Sequence, residues 1–251
     1  MAKKRNGRLN KFNECSREYS SKYSIEYSER EVTYYDKSND IKPLKPTTKN
    51  QQLAFNALNN PEKKVIFLTG CARTGKTYLP TCFASDQLKE GKIKKIVLTR
   101  PIVEAGEKIG FLKGSLEEKM CPYIRPARDI FEHRLGYSQT KAFINNNIIE
   151  GIPLGFMRSI TLNNTFIIFD EAQNVNLNQM ELVITRLGEN SRIVICGDYK
   201  RQTDIKERSG LADVVKILKN RPYVAHIDFG LEDIYFDVVR DIVTEFYYYQ
   251  E

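Results

Sequence analysis

The feature that most limits the fold of this 251-residue chain is an eight-residue stretch, GCARTGKT, at positions 70–77. It matches the pattern G-x-x-x-x-G-K-[ST] and lies between a predicted buried strand at residues 64–69 and a predicted helix at residues 76–89. In such a strand–loop–helix unit, backbone N–H groups and the helix N-terminus form a binding site for phosphate oxygens. An octapeptide with four fixed positions also arises by chance, but the strand and the helix beside it argue against a chance turn.

The pattern also assigns roles within this segment, which we call the phosphate loop. Lys76 is expected to pair with the β- and γ-phosphates of a nucleotide, and Thr77 to place its hydroxyl on Mg²⁺. The residues expected to surround the phosphates are Gly70, Cys71, Ala72, Arg73, Thr74, Gly75, Lys76 and Thr77.

Beyond the loop, short apolar runs alternate with segments of helical periodicity. We predict strands at residues 64–69, 95–99, 148–154, 165–169, 192–196 and 223–229, of which 148–154 is weak. We predict helices at residues 50–59, 76–89, 115–135, 178–187, 210–219 and 234–247, with an interruption of the third near Pro122 and Pro126. This alternation is typical of an α/β domain with a buried, mainly parallel sheet.

Two acids close one of the predicted strands. Four apolar residues at 166–169 are followed by Asp170 and Glu171. Ligands bind at the carboxyl ends of strands in open α/β sheets, so Asp170 is expected to hold Mg²⁺, through water, and Glu171 to orient and activate an attacking water. The alternative is that the acids cap the next helix. A P-loop kinase, which transfers phosphate to a small acceptor, is a further alternative. Paired acids favour hydrolysis over such transfer.

Composition narrows the class of protein and its setting. Hydrophobic residues make up 41% of the chain and the net charge is +7, which favours anionic partners such as nucleotides or nucleic acid, although charge also serves solubility. Five scattered cysteines without a C-x-x-C pair indicate a reduced, cytoplasmic setting. No apolar run is long enough to span a membrane, and no signal peptide is evident at the N-terminus.

Residues 1–46 differ from the rest of the chain. They begin with basic residues and continue with Ser, Tyr and Glu, including Tyr19, Tyr23 and Tyr27 at helical spacing. We expect an N-terminal arm that is a short helix or disordered, and that either contacts nucleic acid or is a solvated tail. The segment at 43–46 is interpreted as a linker to the domain at 47–251.

Four further segments carry a resemblance to a known family. They are TRPIVEAGEKIGFL at 99–112, DEAQN at 170–174, TRLGENS at 185–191 and GDYKRQ at 197–202. With the phosphate loop they closely resemble the PhoH family of RecA-like ATPases, related to superfamily 1 helicases, over about residues 50–246. The resemblance implies a P-loop NTPase fold with a RecA-like sheet flanked by helices. It also implies ATP and Mg²⁺ as ligands and RNA, or less favourably single-stranded DNA, as a partner.

The resemblance also implies roles for residues outside the phosphate loop. Gln51 is similar to the helicase glutamine that reads adenine, and Gln202 to a γ-phosphate sensor beside Asp198. Arg100 lies where helicases contact nucleic acid or couple it to the nucleotide. Arg186 or Arg240, the latter within the element DVVR at 237–240, is similar to an arginine finger supplied by a neighbouring subunit.

The chain departs from the family pattern at two points. In the phosphate loop, Cys71 replaces the usual proline and Arg73 the inner glycine. If that position needs a positive φ, Arg73 costs about 1–2 kcal/mol of strain. This leaves open a regulatory module that binds nucleotide and hydrolyses little. The sensor element has one more residue between Asp198 and Gln202 than in helicases.

The length of the chain limits its architecture. Only about 50 residues follow Asp198, which is too few for the second RecA-like domain of a helicase. A single domain must receive its arginine finger from another subunit, which predicts a homo-oligomer, and the resemblance favours a hexamer. Some relatives carry a PIN ribonuclease domain, for which the arm at 1–46 is too short.

Overall fold

The computed structural model describes residues 43–101, 116–198, 205 and 207–249, with the side chains of 116–123 and 247–249 left out. Within these residues, six strands form one sheet in which every pairing is parallel, in the order β3-β2-β4-β5-β1-β6. The strands are β1 (Val65–Gly70), β2 (Lys95–Thr99), β3 (Ile149–Gly151), β4 (Thr165–Phe169), β5 (Arg192–Gly197) and β6 (Val224–Phe229). The predicted α/β fold with a parallel sheet is confirmed.

Helices cover both faces of this sheet. They are α1 (Lys49–Asn59), α2 (Tyr78–Lys89), α3 (Leu116–Leu135), α4 (Tyr137–Asn145), α5 (Leu177–Ile184), α6 (Leu211–Leu218) and α7 (Asp237–Tyr249). The described part of the chain also has three short 3-10 helices, at Leu154–Ser159, Ala172–Asn174 and Leu231–Asp233. One apolar core lies between the sheet and α1–α3, and a second lies between the sheet and α5–α6. In β1, Ile66 and Leu68 enter the first core and Val65 and Phe67 the second, because successive side chains point to opposite faces.

The strand order places the two predicted functional segments at one edge. Strand β5 pairs with β1 on one side and with β4 on the other. Since all these strands are parallel, the phosphate loop after β1 and the acids after β4 emerge at the same edge, one strand apart.

Helix α3 differs from its prediction. Pro122 and Pro126 lie inside it, yet the helix is continuous from Leu116 to Leu135. A proline within a helix removes one backbone hydrogen bond and costs about 3 kcal/mol. The buried side chains of Phe131 and Leu135 offset that cost, because they pack into the core beside α2. The predicted interruption was therefore wrong.

The other differences are an additional helix and changes near the ends of predicted elements. Helix α4, with the sequence YSQTKAFIN, was not predicted. The weak strand predicted at 148–154 is three residues long, and the chain then forms the 3-10 helix Leu154–Ser159. Leu44, within the predicted linker, packs against the first core. Apart from 43–46, the predicted arm lies outside the described residues. In the described ranges, no helix has the length and apolarity needed to cross a bilayer.

A buried carboxylate joins α1 to the turn that precedes α7. Asp233 accepts hydrogen bonds from the Thr48 hydroxyl, from Asn50 Nδ2 at 2.7 Å and from the Gly230 backbone N–H at 2.9 Å. Its side chain is satisfied by three donors, which is what a buried polar group requires. The start of α1, and with it Gln51, is thereby fixed to the chain that follows β6.

Candidate phosphate-binding site

The phosphate loop is held against the end of β6. Gly70 has a φ of +112°, and a Cβ there would lie 2.0 Å from the carbonyl oxygen of Phe229. The Cys71 backbone N–H donates to that same oxygen at 3.2 Å. Helix α2 begins at Tyr78, two residues after its predicted start, although the Leu79 N–H already donates to the Gly75 carbonyl at 2.9 Å. Position 70 requires glycine because its backbone lies so close to that of Phe229.

Arg73 adopts the conformation that the family's glycine would favour. Its φ is +63°, in the left-handed region, where the Cβ of any residue but glycine is crowded. The strain expected from the sequence is therefore present in the loop.

Replacing Arg73 by Gly is expected to raise the free energy of unfolding by about 0.5–1 kcal/mol. Relief of about 1–2 kcal/mol of strain is partly offset by the greater freedom of glycine in the unfolded chain. The corresponding rise in melting temperature is about 2 °C for a domain of this size. Asn147→Gly is the control, since Asn147 has a φ of +56° but asparagine tolerates it well, so a smaller change is expected. Equal effects of the two substitutions would contradict strain at Arg73.

Lys76 lies within the phosphate loop. Its ammonium group donates to the Cys71 carbonyl and lies 3.5 Å from Thr74 Oγ1. Burial lowers the pKa of Lys76, and the nearby carboxylates of Asp198 and Asp170 oppose that shift. A half-buried cation among carbonyls and carboxylates is suited to bind an anion that enters the loop.

Thr77 and Asp170 meet across the sheet edge. Thr77 Oγ1 donates to Asp170 Oδ1 at 2.8 Å, and the Asp170 backbone N–H donates to the Thr99 carbonyl at 2.9 Å. Burial raises the pKa of Asp170, and the charge of Glu171 adds to this, whereas the Thr77 bond and the charge of Arg100 oppose it. A hydroxyl and a carboxylate side by side are hard oxygen ligands of the kind that Mg²⁺ takes together with waters and substrate phosphates, so these residues fit the ion.

Glu171 is the residue that follows in the chain, and it has a φ of +53°. It precedes the 3-10 helix Ala172–Asn174, but its side chain makes no capping hydrogen bond there. Its Oε2 instead accepts from Gln173 Nε2 at 2.6 Å. The alternative in which the acids cap the next helix is therefore not what their side chains do.

Gln173 is a site residue that the sequence analysis missed. Its carboxamide lies between Glu171 and the end of β5, where Oε1 accepts from the Asp198 backbone N–H at 3.1 Å. The only signal in the sequence is a glutamine two residues after the paired acids, and glutamine there is equally compatible with a surface turn.

Gln51 is also placed at the phosphate loop. Its Nε2 donates to the Thr74 carbonyl at 3.1 Å, and its Oε1 accepts from both the backbone N–H and the hydroxyl of Thr47 at 2.9 Å. The side chain is buried and supports the loop from the side of α1. One N–H of Nε2 is left over from these bonds, so adenine recognition by Gln51 stays a prediction.

The remaining predicted residues differ in how close they lie to the candidate site. Arg100 follows β2 and is close enough to Asp170 for its charge to lower that carboxyl's pKa. Arg186, in contrast, donates to the carbonyls of Leu182 and Arg158, and Arg158 precedes β4, so Arg186 lies towards the opposite edge of the sheet. Arg240 is half-buried on α7 and pairs with Asp237 at 2.5 Å. Gln202 lies outside the described residues.

The chain is similar in sequence to known proteins. A family model described as PhoH-like protein matches residues 43–248. A PhoH-like protein of Bacillus subtilis (strain 168) is 39% identical over 221 residues, which are 86% of this chain and 67% of that protein. Protein PhoH of Escherichia coli (strain K12) is 36% identical over 200 residues, 78% of this chain and 56% of that protein. The chain thus spans between 56% and 67% of the length of these relatives.

Solved structures show more distant similarity. The large terminase from a thermophilic bacteriophage has a TM-score of 0.48 at 12% identity, covering 76% of this chain and 47% of that chain. The Pif1 helicase from Candida albicans has a TM-score of 0.38 at 13% identity, covering 81% of this chain and 44% of that chain.

Proposed function

Because the chain belongs to the PhoH family, we propose that it binds ATP with Mg²⁺ and hydrolyses the γ-phosphate in an activity coupled to RNA, or to single-stranded nucleic acid. The observation that carries the proposal is the contact between Thr77 Oγ1 and Asp170 Oδ1 at 2.8 Å, beside the ammonium group of Lys76. A phosphate loop whose threonine meets a strand-end aspartate is the arrangement that nucleoside-triphosphate hydrolysis needs.

The proposed chemistry gives each of these groups a role. Water attacks the γ-phosphorus in line, a new P–O bond forms, and the bond to the β–γ bridging oxygen breaks to give ADP and phosphate. Glu171 accepts the proton that the water loses. Backbone N–H groups of the loop and Lys76 bind the phosphate oxygens. Thr77 and Asp170 would hold Mg²⁺, which neutralises phosphate charge when bound.

The coupling to nucleic acid is supported by charge and by one residue. The chain carries a net charge of +7, and phosphate contacts by basic side chains dominate nucleic-acid affinity. Arg100 is half-buried beside Asp170, so a polyanion that attracted Arg100 would alter the field at the nucleotide. The family resemblance also favours a homo-oligomer, which we expect to be a hexameric ring. In that ring the arginine finger would be Arg186, whose donors are bound to carbonyls here, or Arg240, which pairs with Asp237 here.

The expected setting is the cytoplasm. Cys71, Cys82 and Cys196 are buried, and none of them is in a disulfide bond within the described part of the chain. Buried cysteines outside disulfides are compatible with a reducing compartment.

The proposal is tested by steady-state ATP hydrolysis with Mg²⁺, with and without single-stranded RNA. The variant Lys76→Ala is the blank. We expect turnover that rises with RNA at low salt and is abolished by Lys76→Ala, because the loop then lacks its cation.

Two other results would change the proposal. Turnover that RNA does not alter, together with no RNA binding at low salt, would remove the nucleic-acid part. Tight ATP binding without turnover would favour the second candidate, a regulatory module that hydrolyses little. The left-handed backbone of Arg73 is the observation that supports that candidate.

A further inference from the structure

We propose that Gln173 is the positioning residue for Glu171, and that it ties the orientation of this carboxylate to the end of strand β5. The inference rests on the proposed ATP hydrolysis, in which Glu171 accepts a proton. It concerns what fixes that carboxylate in place.

The hydrogen bonds of Gln173 allow only one orientation of its carboxamide. The Asp198 backbone N–H is only a donor, so it must face Oε1, at 3.1 Å. The Glu171 carboxylate is only an acceptor when ionised, so it must face Nε2, at 2.6 Å. Reversal of the amide would place two acceptors together at Glu171 and two donors together at Asp198.

The surroundings of Gln173 leave its side chain little freedom. The residue is 8% exposed. A Cβ added at Gly197, the last residue of β5, would lie 2.9 Å from Gln173 Oε1 and 3.1 Å from its backbone nitrogen. Gly197 therefore lets the strand end approach the amide closely, and the amide is packed against β5 as well as hydrogen-bonded to it.

The backbone at Glu171, the hydrogen-bond partner of Gln173, is also constrained. Glu171 is held in the left-handed region at a φ of +53°, and its carbonyl accepts from the Asn174 N–H at 3.0 Å. The 3-10 helix Ala172–Asn174 fixes the spacing between Glu171 and Gln173. A short charge-assisted bond from a buried amide then holds the carboxylate in one direction.

A mechanical consequence follows for the nucleotide site. Asp198 directly precedes residues 199–204 in the sequence, and these include the predicted sensor Gln202. The Asp198 carboxylate is also close enough to Lys76 to oppose the lowering of the pKa of that lysine. A displacement of the chain at Asp198 is transmitted through one rigid amide to Glu171. The base is thus oriented only when the end of β5 is in its place.

A double-mutant cycle tests this inference. The variants are Gln173→Met, Glu171→Gln and the two combined, and single-turnover ATP hydrolysis, nucleotide Kd and melting temperature are measured for each. We expect Gln173→Met to lower turnover by about 10–100-fold, which is part of the rate enhancement that a positioned general base contributes. Nucleotide Kd is expected to change by less than about 3-fold. In the Glu171→Gln background the same change is expected to have almost no effect, because the group it orients is gone.

The control and a second variant make the test specific. Gln179→Met is the control, since Gln179 Oε1 also accepts from a backbone N–H, that of Asn176 at 3.0 Å, but its side chain is exposed at the start of α5. Gln173→Glu retains the acceptor for Asp198 and lacks the donor for Glu171. It is expected to lower turnover at least as much as Gln173→Met, and it serves if the methionine variant does not fold.

The outcomes separate this inference from the proposed function. Full turnover in both Gln173 variants, with turnover lost in Glu171→Gln, would overturn the inference alone. An equal fold-loss from Gln173→Met with and without Glu171 would also overturn it, because the residue would then act independently. Unchanged turnover in Glu171→Gln would overturn the proposed role of Glu171 as the base in hydrolysis, and the inference with it.

Discussion

Replacing Glu171 by Gln is expected to lower ATP turnover by about 10²–10³-fold while nucleotide Kd changes by less than about 3-fold. Glutamine has nearly the same shape but cannot accept a proton from the attacking water. The phosphate loop, Lys76 and the Thr77–Asp170 pair are untouched by the change, so binding persists. The measurement is single-turnover hydrolysis beside equilibrium binding of a fluorescent ATP analogue.

Glu181→Gln provides the matched control. Glu181 is an exposed acid on α5, and its side chain is not part of the site. This variant is expected to keep full turnover, which shows that the loss is not an effect of net charge. Equal turnover in the wild-type protein and Glu171→Gln would mean that another group activates the water, and the ATPase proposal in its present form would fail.

Replacing Gly70 by Ala is expected to lower the free energy of unfolding by about 4 kcal/mol, beyond the usual range for single substitutions. The added Cβ would lie 2.0 Å from the Phe229 carbonyl oxygen, 2.8 Å from its nitrogen and 2.9 Å from its carbonyl carbon. These are main-chain atoms of β6, which cannot turn aside as a side chain can. The φ of +112° adds strain of its own. Chemical denaturation followed by circular dichroism measures the loss.

Gly91→Ala separates the two contributions. Gly91 has a φ of +71°, but nothing lies within 4 Å of an added Cβ, so only the cost of the left-handed backbone, about 1 kcal/mol, is expected. The difference between the two variants then reports the steric contact with β6. Losses of similar size would show that β6 moves aside easily and that the phosphate loop is not braced by Phe229.

The strands and the phosphate loop could be predicted because their signals are local. A run such as residues 166–169, buried throughout and closed by polar residues, has few ways to fold other than as a central strand. The meeting of Thr77 with Asp170 was also within reach, since parallel strands bring their carboxyl ends to one edge. The motifs were therefore sufficient to predict the residues at the centre of the candidate site.

What the sequence did not reveal depends on contacts between distant segments. Asp233 is the second of two neighbouring acids in a turn, and only folding brings Thr48 and Asn50 to it. Gln173 acquires its partner Asp198 from another strand end. Pro122 and Pro126 argued locally for a break that core packing overrides. Local propensity is a weak guide wherever tertiary contacts decide the outcome.

The bracing of the phosphate loop by β6 has a consequence for the order of events during synthesis. Thr69, next to the loop, donates to Asp228 at 2.9 Å, and these residues are 159 positions apart. The bond between Thr48 and Asp233 spans 185 positions. At about 5–20 residues per second, a ribosome needs about 10–30 s between making the loop and making the strand that supports it. The proposed nucleotide affinity therefore requires that β6 has been made, and a nascent chain that lacks β6 has a loop of the right sequence without the surface that shapes it.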